Sequence, residues 1–286
     1  MHHGLVRWTT AIVLACSIAQ LWLGPTVLAA GPPAAGSASG LPDHFGLGLA
    51  ASPDARGLSG WMPESGIPWD FAYQYLTGGV NTGMGWQTWD AHGQFPVAYA
   101  RAAALHSYLP VFSYYQLLQS DGPCGGCTEP QRDLAHLNNP VTMASYFADF
   151  AVLMQRLGPG NHDGVPGYGG PVIVHLEPDL SGYAMQAAMN SSHCFGFCSG
   201  QGNDPALLRA AVSRSGYAAV AGYPDTYQGF NWALLHLRDL YAPNVKLAFH
   251  VSDWATMRDI GSDPDPTLDA SALGNLAGSF AALSGV

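Results

Sequence analysis

Positive charge is what this sequence has least of. Lys and Arg total 10 among 286 residues, and they form no cluster. Phosphate backbones are held by such clusters, so nucleic-acid binding lacks its electrostatic footprint. Charge of either sign is low, at 10% of residues, with a formal net charge of -10. G-x-S-x-G, HExxH and P-loop patterns are missing as well. Lipase-like esterase, zincin and nucleotide-hydrolase readings therefore have no support, and no motif calls for a cofactor or a metal. Gly 35, Pro 21, Trp 8 and Tyr 13 fill the composition instead. Such a surface is neutral, polar and aromatic, and suits uncharged ligands. Hydrophobic residues make up 48% of the chain, enough for a large core.

Residues 1–29 read as a secretory signal peptide. Arg7 gives a positive start, AIVLACSIAQLWLGPTVLAA an apolar stretch, and Val27-Leu28-Ala29 a cleavage site. Two rivals are weaker. Gly24-Pro25 interrupts the apolar run short of spanning length, against a membrane anchor. Leu14 is an unusual residue before a lipobox cysteine at Cys16, and apolar sequence continues past it. The mature protein is expected outside the cell with no membrane span. Residues 30–41 form a flexible Gly/Pro/Ser/Ala linker, and residues 42–286 the folded unit. Four cysteines remain: Cys124 and Cys127 in PCGGC, Cys194 and Cys198 in CFGFC. An even count in an exported chain argues for disulfides. Two local staples are the simplest of three pairings, and a zinc site is the rival.

Strand-like segments alternate with helical ones. The strands are 45–50, 72–80, 108–118, 171–177, 216–223 and 244–251. Helical spacing of apolar residues marks 95–106, 141–158, 204–214, 229–241 and 265–283. Asn139-Pro140, Asp204-Pro205 and Asp265-Pro266 each pair an N-cap acceptor with proline at the first helical position. Strand–helix repetition with β-branched strands predicts a parallel sheet, hence α/β. A (β/α)8 barrel of the TIM type fits best, because functional-looking residues follow the strands. A doubly wound parallel sheet is the alternative. Its G-x-G-x-x-A match at Gly46 and Gly48 runs into Ser52-Pro53-Asp54 where a helix should begin. Six units fall short of eight, so the barrel is expected to be truncated at its C-terminus.

The segment PVIVHLEPDLSGY carries the chemistry. Alternation places Ile173, His175 and Glu177 on one face, with Glu177 at the upper rim of a barrel. Pro178 ends strand pairing, and Asp179 lies in the loop. Apolar and aromatic neighbours should raise the pKa of Glu177 and fit it for general acid work. Glycosidic cleavage needs a second carboxyl. Asp179, Asp253, Asp225 and Asp90 are the choices, with Asp253 preferred because it follows a strand. Substrate-binding candidates gather after other strands: Asn81, Trp86 and Trp89; Tyr114, Tyr115 and Gln116; Tyr223 and Gln228; His250 and Trp254. His175 and Tyr183 join them from the fourth strand and its loop. Flat aromatics stack on sugar faces while amides and carboxyls take hydroxyls. His175-Leu176-Glu177 with Pro123-Cys124-Gly125-Gly126-Cys127 imitates a zinc deaminase, but in reversed order.

These stretches, with SGWMPESGIPWDFAYQYLTGGVNTGMGWQTW and VAGYPDTYQGFNWALLHLRDLYAPNV, resemble secreted bacterial glycoside-hydrolase-like barrel proteins, often joined to cellulose-binding modules. The resemblance covers most of residues 45–262. It implies the barrel fold, and Glu177 as acid/base against a neutral polysaccharide such as a β-glucan. A nucleophile on the seventh strand of such barrels has no counterpart here. The competing expectation is a non-catalytic carbohydrate-binding or cell-surface protein on the same scaffold.

Overall fold

The computed structural model describes residues 40–54 and 56–285. The signal peptide and nearly all of the linker lie outside the described residues. Inside them are seven strands and seven α-helices. In chain order these are β1 (Gly48–Ala50), α1 (Trp61–Glu64), β2 (Phe71–Leu76), α2 (Phe95–Leu105), β3 (Leu109–Tyr114), α3 (Glu129–Leu137) and α4 (Pro140–Leu157). There follow β4 (Asn161–His162), β5 (Val165–Pro166), β6 (Val172–Leu176), α5 (Leu180–Met189), α6 (Tyr227–Tyr241), β7 (Val245–Phe249) and α7 (Ala270–Leu283).

Five strands form one wholly parallel sheet in the order β1-β2-β3-β6-β7, while β4 and β5 make a separate two-residue hairpin. Two cross-strand rows define the faces. Leu76, Tyr114, Leu176 and Phe249 are in register, and so are Tyr75, Ser113, His175 and Ala248. The first row faces the helices. Tyr114 meets Tyr146 and Phe150 of α4 at 5.4 Å, and Phe249 meets Tyr227 of α6 at 6.4 Å. The second row's face carries Tyr73, Tyr75, Val111, Ile173 and Lys246 and stays partly open. A groove of about 490 Å3 runs there between Phe71, Tyr73, Tyr75 and Val111 on one side and β1 on the other.

Helix α4 is the centre of the core. Asn139 caps it, accepting from the N–H groups of Val141 and Thr142 at 2.9 and 3.2 Å, with Pro140 in the first turn. Its apolar stripe of Tyr146, Phe147, Phe150, Leu153, Met154 and Leu157 is fully buried. One carboxylate sits inside that stripe. Asp149 accepts from the Trp86 indole at 2.8 Å, the Gln87 amide at 2.5 Å and the Tyr114 hydroxyl at 2.6 Å.

Five strands of the sheet correspond to five of the six expected from sequence. The sixth, 216–223, is a loop with a 3-10 turn at Ala218–Val220. Asp225 explains the difference. Its carboxylate accepts from Val212 N at 2.8 Å, Arg214 N at 3.1 Å and Ser213 Oγ at 2.9 Å, tying the stretch just before the segment to the residue just after it. Asp225→Ala orphans those donors. We expect a loss of about 2 kcal/mol, read as a fall of roughly 4–8 °C in melting temperature. The helix expected over 204–214 is replaced by two 3-10 turns, Pro205–Leu207, with Asp204 accepting from Ala206 N, and Ser213–Ser215. The helix expected from 265 starts at Ala270 under an Asp269 cap, while Asp265 closes a turn onto Thr267.

Cys124 is bonded to Cys127 and Cys194 to Cys198, the two local staples, with Cα separations of 5.6 and 5.8 Å. Among the described residues no helix is long and apolar enough to cross a membrane.

Candidate functional site at the carboxyl ends of the strands

The left-handed backbone of Glu177 decides where its carboxyl goes. Its N–H continues the ladder to Tyr114 O at 2.8 Å, but its φ is 34°. That region costs a residue with a Cβ about 1–3 kcal/mol. The turn breaks the alternation expected from sequence. The carboxyl does not join His175 on the open face; it lies among Tyr114, Tyr146 and Asp149, side chains of the helix-covered face. There it accepts from the N–H groups of Gln116 at 3.1 Å and Leu117 at 3.3 Å. It is only 3% exposed. Burial pushes its pKa up to about 8, against the pull of those two N–H donors and the Tyr146 hydroxyl. The raised pKa agrees with expectation; a place at an open rim does not.

The open part of the rim is a different set of groups. Glu129 begins α3 and accepts from the Tyr115 hydroxyl at 2.7 Å. Asp179 precedes α5 and is half-buried; burial and the charge of Glu129 both raise its pKa. Burial, Glu129 and Asp179 likewise hold the Tyr183 phenol in its neutral form. Asp133, one turn along α3, lies beneath. It is 1% exposed, its Oδ1 has no partner, and burial raises its pKa well above the ordinary value.

Beside the carboxyls stands an aromatic pair. The Tyr183 and Trp254 rings lie 5.0 Å apart and 35° from parallel. The pair requires Gly182, since a Cβ there would approach the Trp254 ring to 2.6 Å. The Gln186 side chain donates to Trp254 O at 3.0 Å and ties the turn after β7 to α5. His175 and His250 face each other at 5.2 Å. Burial, then His250, pushes His175 down to about 4, so it is a neutral imidazole at physiological pH. The Ser181 hydroxyl donates to His250 O.

The structure thus brings together Asp179, Tyr115, Tyr183, His175, His250 and Trp254. It separates others. Trp86 and Tyr114 are fully buried ligands of Asp149, not sugar platforms. Gln116 is fully buried, donating to Leu76 O at 2.9 Å. Asn81 exchanges hydrogen bonds with the Asp121 backbone at 2.8 Å in both directions. Trp89 packs edge-on against Phe95 at 5.2 Å, and Tyr223 against His236 at 5.6 Å. Gln228 pins the end of α7 by donating to Leu283 O at 2.6 Å. Asp253 is exposed, with Asp259 as its carboxyl neighbour. Asp90 caps the turn at Ala91.

Sequence reasoning missed Glu129 and Asp133. Their signal was the capping box Thr128–Gln131, in which Thr128 and Gln131 exchange side-chain and backbone bonds across the first turn. It announces a helix, and positions one and five of that helix share a face. Comparison with protein-family models, with curated proteins and with solved structures finds no match to this chain.

Proposed function

We propose that the protein is a secreted glycoside hydrolase on a barrel-type scaffold, with its site at the carboxyl ends of β3, β6 and β7. One observation carries the reading. Asp179 and Glu129 share a partly open rim with tyrosines and a tryptophan–tyrosine pair, and Asp179 holds its proton to higher pH than an ordinary aspartate. Two carboxyls in unlike environments are the equipment of acid-assisted glycosidic cleavage, one protonated and one charged. Asp179 donates the proton to the leaving oxygen, and Glu129 is the second carboxyl. Glu177 is a positioning residue in this scheme. It fixes the 116–117 turn, and with it Tyr115, which is bonded to Glu129.

The winding supports the barrel. Strand order is sequential, with no reversal of the kind that gives a doubly wound sheet its switch point. Active sites of parallel α/β folds lie at the carboxyl ends of strands in either case. Export is supported by the leader sequence and by the two cysteine pairs.

The enclosed carboxyl of Glu177 favours a second reading, a carbohydrate-binding protein that does not cut. Reducing-sugar release from a panel of polysaccharides separates the two. Asp179→Asn is expected to lower release at least about a hundredfold, while the variant still binds the same glycan. Equal release by wild type and variant would remove Asp179 from its role. Binding without release by the wild type would establish the second reading.

A further inference from the structure

Helix α6 buries a stripe of Tyr227, Phe230, Leu234 and Leu237 at helical spacing. Asn231 sits inside that stripe, one turn from Tyr227, and is 2% exposed. A leucine would pack there at no polar cost. An amide instead brings two N–H donors and an acceptor out of water. The Tyr227 hydroxyl is close enough to engage one amide hydrogen. No acceptor among the described residues meets the other. An interior donor left in this way needs an explanation.

A cavity supplies one. It has a volume of about 250 Å3 and is walled by Asn231 and Leu235 of α6, Leu176 of β6, and Leu247, Ala248 and Phe249 of β7. Strand β7 ends the sheet order, and Leu235, Leu247 and Phe249 are partly exposed, so a ligand can enter on that side. No residue of the carboxyl rim lines the cavity, and no ionisable side chain does. A cavity of about 150 Å3 holds benzene, so this one has room for a substituted ring or a short alkyl chain. Water is a poor filler, because it needs two to four polar partners and these walls offer one polar side chain.

We propose that this cavity is a second binding site, for a small uncharged carbonyl compound with an apolar body. The leucines and Phe249 take the body, and the Asn231 amide donates to the carbonyl oxygen. Apolar walls around a single placed polar group are the usual make-up of a small-molecule site. A carboxylate or an ammonium would enter with no counter-charge, and a sugar would press its hydroxyls against leucine. A plain hydrocarbon would leave the amide unmet. The site uses none of the groups that carry the glycan reading and stands apart from it.

Chemical-shift titration of the full purified chain by NMR tests the assignment. The probes are acetophenone and 2-heptanone, a ring and a chain form of the same class. Ethylbenzene matches acetophenone in shape without the oxygen, and benzoate adds a charge. At least one ketone is expected to shift Leu176, Leu235, Leu247 and Phe249. It should bind about tenfold more tightly than ethylbenzene, the size of one net hydrogen bond. Asn231→Leu should erase that preference and leave the chain at least as stable, because the unmet amide is gone. Leu235→Trp, on the half-buried wall, should block ketone and hydrocarbon alike. Should Asn231→Leu fail to fold, Leu235→Trp and the wild-type comparison of probes carry the test. Ethylbenzene or benzoate binding as tightly as the ketones overturns the carbonyl assignment, and so does a ketone preference that survives Asn231→Leu. Shifts confined to other residues, binding unchanged by Leu235→Trp, or no binding by any probe overturns the site itself.

Discussion

Raising the pH from about 4 to about 9 is expected to destabilise this protein by roughly 4–5 kcal/mol through Glu177 alone, and Glu177→Gln is expected to abolish that share. In the unfolded chain Glu177 ionises near its ordinary value of 4.5; in the fold it keeps its proton to about 8. Between those values the native state binds more protons than the unfolded state. Stability therefore falls as pH rises, since its slope follows protons bound unfolded minus protons bound native. The contribution is intact below about 4.5, erodes through the neutral range, and is gone above about 8. A separation of about 3.5 in pKa at about 1.4 kcal/mol per unit gives the stated size. Asp133, Asp149 and Asp179 are displaced in the same direction, mainly by burial, and steepen the slope.

Glutamine keeps the shape of the protonated acid. Its carbonyl can accept from the Gln116 and Leu117 N–H groups, and its amide can donate to the Tyr146 hydroxyl buried beside it. Melting curves taken across this range should fall by on the order of 10 °C for the wild type and clearly less for the variant. Parallel curves would mean that Glu177 ionises normally and is not enclosed.

How much of this was legible in the sequence depends on the scale of the feature. Val172-Ile173-Val174 and Val245-Lys246-Leu247 announce strands through β-branched and apolar content, and they are strands. Asn139-Pro140 announces the start of α4 because cap chemistry is local. Gly216–Tyr223 shows the same apolar content as a strand, yet Asp225 beyond it collects the N–H groups of Val212 and Arg214 ahead of it, and the segment between closes into local turns. No composition rule sees that competition. The face of Glu177 was equally hidden. Alternation holds only while φ stays negative, and nothing in Leu176-Glu177-Pro178 declares a φ of 34°. The functional rim was half visible: Asp179, Tyr115, Tyr183 and Trp254 follow strands, whereas Glu129 and Asp133 come from a helix 15 and 19 residues beyond the end of β3 at Tyr114.

Asp149→Ala is the substitution expected to damage the fold most. The carboxylate is 5% exposed and accepts from three donors that reach it from different parts of the chain. Trp86 and Gln87 come from the loop after β2, Tyr114 from the end of β3, and Asp149 itself from the middle of α4. Alanine leaves an indole N–H, an amide and a phenol without an acceptor, two of them on fully buried residues. Each such orphan costs about 1–3 kcal/mol, and the side chain's volume is lost as well. The loss is expected to be at least about 4 kcal/mol, a fall on the order of 10 °C or more, and the chain is expected to be partly unfolded at physiological temperature. Asparagine is the discriminating control. It keeps one acceptor oxygen for Trp86 and Tyr114 but turns an amide toward that of Gln87, so it should cost about 1–2 kcal/mol, and Gln87→Glu should not restore the alanine variant. If alanine and asparagine cost the same small amount, the three bonds to Asp149 are not what joins β2, β3 and α4. The sheet end that presents Tyr115 to Glu129 would then be held by packing of Tyr114 against Tyr146 and Phe150 alone.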